Sequence, residues 1–162
     1  MSEYARGEFE RRFLLDQLPT GVPLGPARHL DDRYITGTRL RLRLVRDDDG
    51  FVVQRKLGDK RRVDENDPSA VMHTSIYLDS AEYDVLATLP ADTLSKTRRA
   101  VELDGVGWAV DEFHGRSAGL IMLEVELRSA QALQAVRPPP WAGREVTGDD
   151  AFSGGRLAAR NG

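Results

Sequence analysis

The sequence predicts a mainly β (α+β) fold: an antiparallel barrel of seven or eight strands with a charged lumen and a few outer helices. Several segments alternate with a period of two, most strictly Thr38–Val45, where Arg39, Arg41 and Arg43 share one face and Leu40, Leu42 and Leu44 the other. The segments are separated by turn signals with no β–α–β alternation, which argues against a parallel nucleotide-binding sheet. Each polar face also tends to carry one sign of charge, whereas a solvated face mixes signs and avoids same-strand repulsion. Strands of segregated charge make sense when they face one another across a cavity, and a barrel provides that arrangement.

The first strand is Tyr4–Leu15. Within it, Gly7–Leu15 (GEFERRFLL) sets Glu8, Glu10 and Arg12 on one face. Its carboxylates then lie about 6.6–6.8 Å apart, and they repel unless a cation or a network neutralises them. Pro19–Pro26 is a Pro/Gly-rich loop expected to lead over an end of the sheet. In His29–Tyr34 only a short strand around Arg33–Ile35 is expected. Thr38–Val45 is a strand, and Asp47-Asp48-Asp49-Gly50 turns it back on Phe51–Leu57, which carries Lys56. The Asp run lacks the spacing and the distant Glu of a calcium loop. Gly58–Pro68 (GDKRRVDENDP) reads as a charged loop, and Val71–Leu78 as the next strand.

Asp79-Ser80 caps a helix over Ala81–Leu89, with Glu82 in its first turn and Pro90 beyond its end. Leu94–Leu103 and Gly107–Phe113 form a hairpin around Asp104-Gly105, Gly115–Gly119 is a tight connection, and Leu120–Arg128 is the last long strand. Ser129 caps a short helix, Ala130–Val136, which Pro138-Pro139-Pro140 stops. A further short helix is expected near Gly155–Arg160.

The chain of 162 residues predicts a single domain, 1–162, with a core of about 5–152 and a C-terminal tail over 153–162. Its net charge of −3 argues against non-specific nucleic-acid binding, and the lack of cysteine excludes disulfides and thiolate zinc sites. No signal peptide and no apolar run long enough to cross a bilayer is visible, so a cytoplasmic protein without membrane contact is expected. A homodimer is compatible with the sequence.

Glu8 and Glu10 recur in kind as Glu124 and Glu126, while Arg39, Arg41 and Arg43, and Lys96 and Arg98, are basic runs. Charges of both signs converging on one cavity suit a polyanion with a divalent cation. Arg binds phosphate through two parallel donors and Lys acts as a compact charge. Carboxylate oxygens are ordinary ligands of Mg²⁺ or Mn²⁺. The apolar faces, including Leu42, Leu44, Leu123 and Val125, then point outward and need cover.

These residues resemble, in order, the motifs of the CYTH domain, the triphosphate tunnel metalloenzymes. Gly7–Leu15 is similar to the E-x-E-x-K signature. LRLR at Leu40–Arg43, the strand with Lys56, KTRR at Lys96–Arg99, GWAVDEFHG at Gly107–Gly115 and LEVEL at Leu123–Leu127 follow. The resemblance spans roughly Ala5 to Phe152. It implies an eight-stranded antiparallel tunnel and a divalent-metal-dependent triphosphatase acting on inorganic tripolyphosphate, polyphosphate or a small organic triphosphate. A class IV-type adenylate cyclase and a non-catalytic polyphosphate-binding module are the alternatives.

The resemblance further implies that Glu8, Glu10, Glu124 and Glu126 hold Mg²⁺ or Mn²⁺. Arg41, Arg43, Lys56, Lys96 and Arg98 would bind phosphates, and Glu8, Glu10, Arg12 and Asp111 would serve catalysis. The chain departs from the pattern in two places. Arg12 replaces the signature lysine, and Met72–Ile76 lacks the acidic pair many members carry, which leaves one metal or two open.

Other signals carry less. Gly115–Gly119 matches G-x-S-x-G, but a strand follows it rather than a helix and no histidine follows Ser117, so it is read as a turn. His29, His73 and His114 show no metal-ligand spacing. Trp108 and Trp141 suit a core or lid.

Overall fold

Period-two patterning becomes eight strands in a computed structural model that describes residues 4–161. The strands are β1 (Arg6–Leu15), β2 (Arg28–Ile35), β3 (Leu40–Arg46), β4 (Val52–Arg62), β5 (Ala70–Tyr77), β6 (Ala91–Leu103), β7 (Val106–Phe113) and β8 (Ile121–Leu127). The helices are α1 (Ser80–Ala87), α2 (Ala130–Ala135) and α3 (Gly154–Asn161). All strand pairs are antiparallel, and the sheet closes as β1-β5-β4-β3-β2-β6-β7-β8. The glutamate-bearing strands β1 and β8 seal it side by side, with Glu10 opposite Glu126 and Arg12 opposite Glu124.

Alternation decides what each wall presents. Outward, Phe13, Leu15, Val101, Trp108, Val110, Leu123 and Val125 are buried under Leu133 of α2, under Leu18, Val22 and Leu24, and under Trp141. The Pro/Gly-rich loop therefore packs along the outer wall, rather than only over an end of the sheet, because its Val22 and Leu24 have apolar surface to cover. Leu42, fully buried, and Leu44 sit on the wall against which α1 packs. The α1 helix starts at a capping box in which Asp79 accepts from the Glu82 amide at 2.8 Å and Glu82 accepts from the Asp79 amide at 2.9 Å.

Two expectations about strands are corrected. β2 runs the full length Arg28–Ile35 instead of a short piece, because its aspartates have partners: Asp31 takes Arg46 and Asp32 takes Arg43. The charged segment expected to be a loop from Gly58 onward instead continues β4 to Arg62. Its inward Lys60 and Arg62 reach Glu10 and Asp150, and its outward Asp59 pairs with Arg39 and Arg61. The other turns follow expectation. Asp104 and Gly105 both take positive φ in the β6–β7 hairpin, and Gly115–Ser117 is a single 3₁₀ turn.

α3 packs against one side of the barrel end. Leu157 and Ala158 of α3 are buried against Leu94, Phe113 and Met122, with Leu14, Tyr34 and Phe152 completing the contact. Gly154 lies so close to Tyr34 that a Cβ there would stand 1.9 Å from the phenol oxygen.

Candidate active site

The lumen has two compartments, of ≈ 470 and ≈ 410 Å³, whose linings share Arg41, Arg43, Lys60, Lys96 and Glu124. The smaller one has Tyr4, Arg6 and Tyr77 among its lining, both tyrosines largely exposed, which marks it as the mouth. All five residues expected to bind phosphate, Arg41, Arg43, Lys56, Lys96 and Arg98, line this mouth compartment together with Glu8, Glu124 and Glu126. Glu10 and Arg12 line the compartment next to α3. Asp111 lines neither and stands behind the cations.

The cations are held from behind. Arg43 donates to Asp32 through two bonds of 2.6 and 2.7 Å, and Arg41 Nε lies 3.9 Å from the same carboxylate. Asp111 accepts from Lys96 at 2.7 Å and from Arg98 through two bonds of 2.7 Å. Burial pushes the Asp111 carboxyl up, but Lys96 and Arg98 outweigh it and hold it well below the ordinary range. Arg98 also reaches Glu124 at 3.2 Å.

Lys56 differs from these. Among the described residues it has no ion-pair partner, and burial followed by the repulsion of Arg43 and Arg41 lowers its pKa to about 8. Arg41 Nε is buried and makes no hydrogen bond. This wall therefore presents positive charge that the protein does not fully neutralise.

The facing wall is acidic. Glu10, Glu124 and Glu126 offer oxygens that all lie within 4.8 Å of one another. Burial tends to raise Glu124, yet Arg98 and then Lys60 bring it down to about 2. Glu126 is raised, first by burial and further by Glu8, Glu124 and Glu10. Glu8 turns toward His73, whose Nδ1 lies 3.3 Å from Oε2, and this contact holds its carboxyl below the usual range. That Glu8 oxygen is buried without a directed hydrogen bond. Arg12 points away from the acids and donates to the Phe152 carbonyl at 2.8 Å. A cluster of hard oxygen donors with a buried, underused carboxylate oxygen beside it is compatible with a divalent metal.

Lys60, Asp32 and His73 belong to this constellation although no functional role follows from the sequence for them. Lys60 Nζ lies 2.5 Å from Glu10 Oε2 and 3.4 Å from Glu126 Oε2. The signal for it is the two-residue step Lys56, Gly58, Lys60, Arg62, which continues the inward face of β4.

Fold and site together define a closed β-barrel with a tunnel lined by opposed charges. No family model matches the chain. It is 31% identical over 161 residues to the inorganic triphosphatase of Nitrosomonas europaea, covering 93% of this chain and 96% of that protein. A 64-residue stretch is 39% identical to the inorganic triphosphatase of Acetivibrio thermocellus and spans 40% of each. The crystal structure of the inorganic triphosphatase NE1496 superposes with a TM-score of 0.62 at 27% identity over 93% of both chains. A conserved hypothetical protein from Pyrococcus furiosus shares the fold, with a TM-score of 0.54 at 18% identity over 79% of this chain. The chain belongs to the family of these inorganic triphosphatases, and its fold is CYTH-like.

Proposed function

We propose that this protein is a CYTH-domain triphosphatase that draws a linear triphosphate into the mouth compartment and hydrolyses its terminal phosphoanhydride with the help of Mg²⁺ or Mn²⁺. The observation that carries the proposal is the incompletely neutralised cationic wall, Lys56 above all, facing a carboxylate cluster. An uncompensated buried cation is costly, and a site of both signs is satisfied by a polyanion that arrives with a metal. The family relatives named as inorganic triphosphatases support inorganic tripolyphosphate as the first substrate to test.

In this reading Lys56, Arg41, Arg43, Lys96 and Arg98 bind the phosphate chain and spread its charge over three strands. Asp32 and Asp111 are positioning residues, since each fixes two of those cations through its oxygens. Glu10, Glu124 and Glu126, with Glu8 beside them, would hold the metal. When bound, a divalent cation polarises phosphoryl oxygens and neutralises charge that develops as water displaces the leaving phosphate. Arg12 shapes the inner compartment and ties β1 to the segment before α3. Enclosure by the barrel excludes bulk water and strengthens each of these charges.

The test is a panel of tripolyphosphate, ATP, thiamine triphosphate and pyrophosphate with Mg²⁺ or Mn²⁺, following released phosphate and cyclic AMP. Metal-dependent phosphate release from tripolyphosphate is expected. No release from any triphosphate with either metal would overturn the proposal.

A further inference from the structure

The point on which the carboxylates converge already has a cation beside it. Lys60 Nζ is in contact with Glu10 and Glu126, two members of the cluster whose third member is Glu124. Lys60 belongs to β4, which β5 separates from β1, so the side chain spans the inner face of β5 to reach these acids. Its ammonium, with three donors, occupies oxygens of two of the three carboxylates that a divalent cation would need. The two cations cannot share them, because charges a few ångströms apart in a lumen of low dielectric repel strongly.

We propose that Lys60 is a built-in counter-cation that holds the metal's place, and that a divalent cation enters only by displacing it. The inference rests on the metal-site reading above. Without metal, Lys60 neutralises the acidic wall and stabilises the barrel. Metal entry frees the ammonium, which lines both compartments and can turn to the phosphate chain. Lys60 thus weakens metal binding to the substrate-free protein and strengthens it once a polyphosphate is present to receive the released charge.

The experiment measures Mn²⁺ binding to substrate-free protein by paramagnetic resonance and calorimetry, alongside melting temperature. Lys60→Gln should bind Mn²⁺ more tightly, by about tenfold, within the usual range for coupled ligands, and should melt at a lower temperature before metal is added. Lys60→Arg keeps the charge and grips the carboxylates with a fork of donors, so it should bind Mn²⁺ no more tightly than the native protein. Folded Lys60→Gln with unchanged or weaker Mn²⁺ binding overturns the inference, as does Lys60→Arg with tighter binding. Glu126→Gln separates the two levels. If it leaves Mn²⁺ binding untouched, the carboxylate cluster is not the metal site and both readings fall. If it weakens binding while the Lys60 variants show no effect, the role of Lys60 alone is refuted.

Discussion

Lys56 is the residue whose charge the tunnel supports least. It titrates near 8 rather than 10.5 because burial strips its hydration and Arg43 and Arg41 repel it. Phosphate binding favours the ammonium, so its contribution to affinity is present below about pH 8 and is lost as pH rises through the pKa of the complex. Stability of the ligand-free protein moves the other way. Between pH 8 and 10.5 the unfolded chain holds the proton that the folded lysine has released, so stability rises with pH across that window. Tripolyphosphate calorimetry over this range should show a slope that Lys56→Met reduces, and an identical slope in the variant would exclude Lys56 from binding. Asp111 poses the reverse case. It neutralises Lys96 and Arg98 from a buried position, and removing one partner of such a network leaves charges stranded. Asp111→Asn should lose about 3–5 kcal/mol in urea unfolding, and a loss below about 1 kcal/mol would show that water already screens these cations.

At the scale of elements, α3 is docked on the barrel by its N-terminal turn as well as by its apolar face. Its entry at Gly154 leaves no room for a Cβ beside the Tyr34 phenol, whose oxygen would be 1.9 Å away and whose ring carbon 3.0 Å. Gly154→Ala must therefore move Tyr34 or the helix, at an expected cost of about 1–3 kcal/mol. Because the residues proposed to bind phosphate line the mouth compartment, tripolyphosphate affinity should change less than melting temperature does. A variant as stable as the native protein would show that the helix shifts freely. This close approach is not legible in the sequence, where a short helix is expected near Gly155–Arg160 and nothing points to Tyr34. By contrast β3 was legible, since Arg and Leu alternate strictly from Arg39 to Leu44. β2 and the end of β4 were not, because both of their faces carry charge and the apolar half of the pattern is missing. Those segments are strands by virtue of partners on other elements, which local patterning does not contain. Lys60 is hidden in the pattern for the same reason, and the Glu cluster is legible only as two separated pairs, which the β1–β8 pairing brings together.

For the whole molecule, segregation of charge by strand is the feature the sequence states most directly, and it has a thermodynamic consequence. Arg41, Arg43, Lys56, Lys96 and Arg98 crowd one compartment, and Asp32 and Asp111 neutralise only part of that charge. Burial and neighbouring cations disfavour the charges of Lys56 and Lys96 in the folded state, a cost that the unfolded chain escapes. A tripolyphosphate with its metal relieves it and binds only the assembled barrel, since the five cations come from strands β3, β4 and β6. Ligand binding then stabilises by RT ln(1 + [L]/Kd), about 2.7 kcal/mol at a hundredfold excess over Kd. For a domain of this length that corresponds to a melting temperature higher by about 5–10 °C. Orthophosphate should give much less, because one phosphate cannot reach all the strands that contribute cations. High salt should shrink the difference by screening the mouth. The prediction holds whether or not turnover is fast, so a slowly hydrolysed or cleavage-resistant triphosphate can be used. A calorimetric scan in which tripolyphosphate with Mg²⁺ or Mn²⁺ shifts melting no further than sulfate would remove the tunnel from consideration as a polyphosphate site.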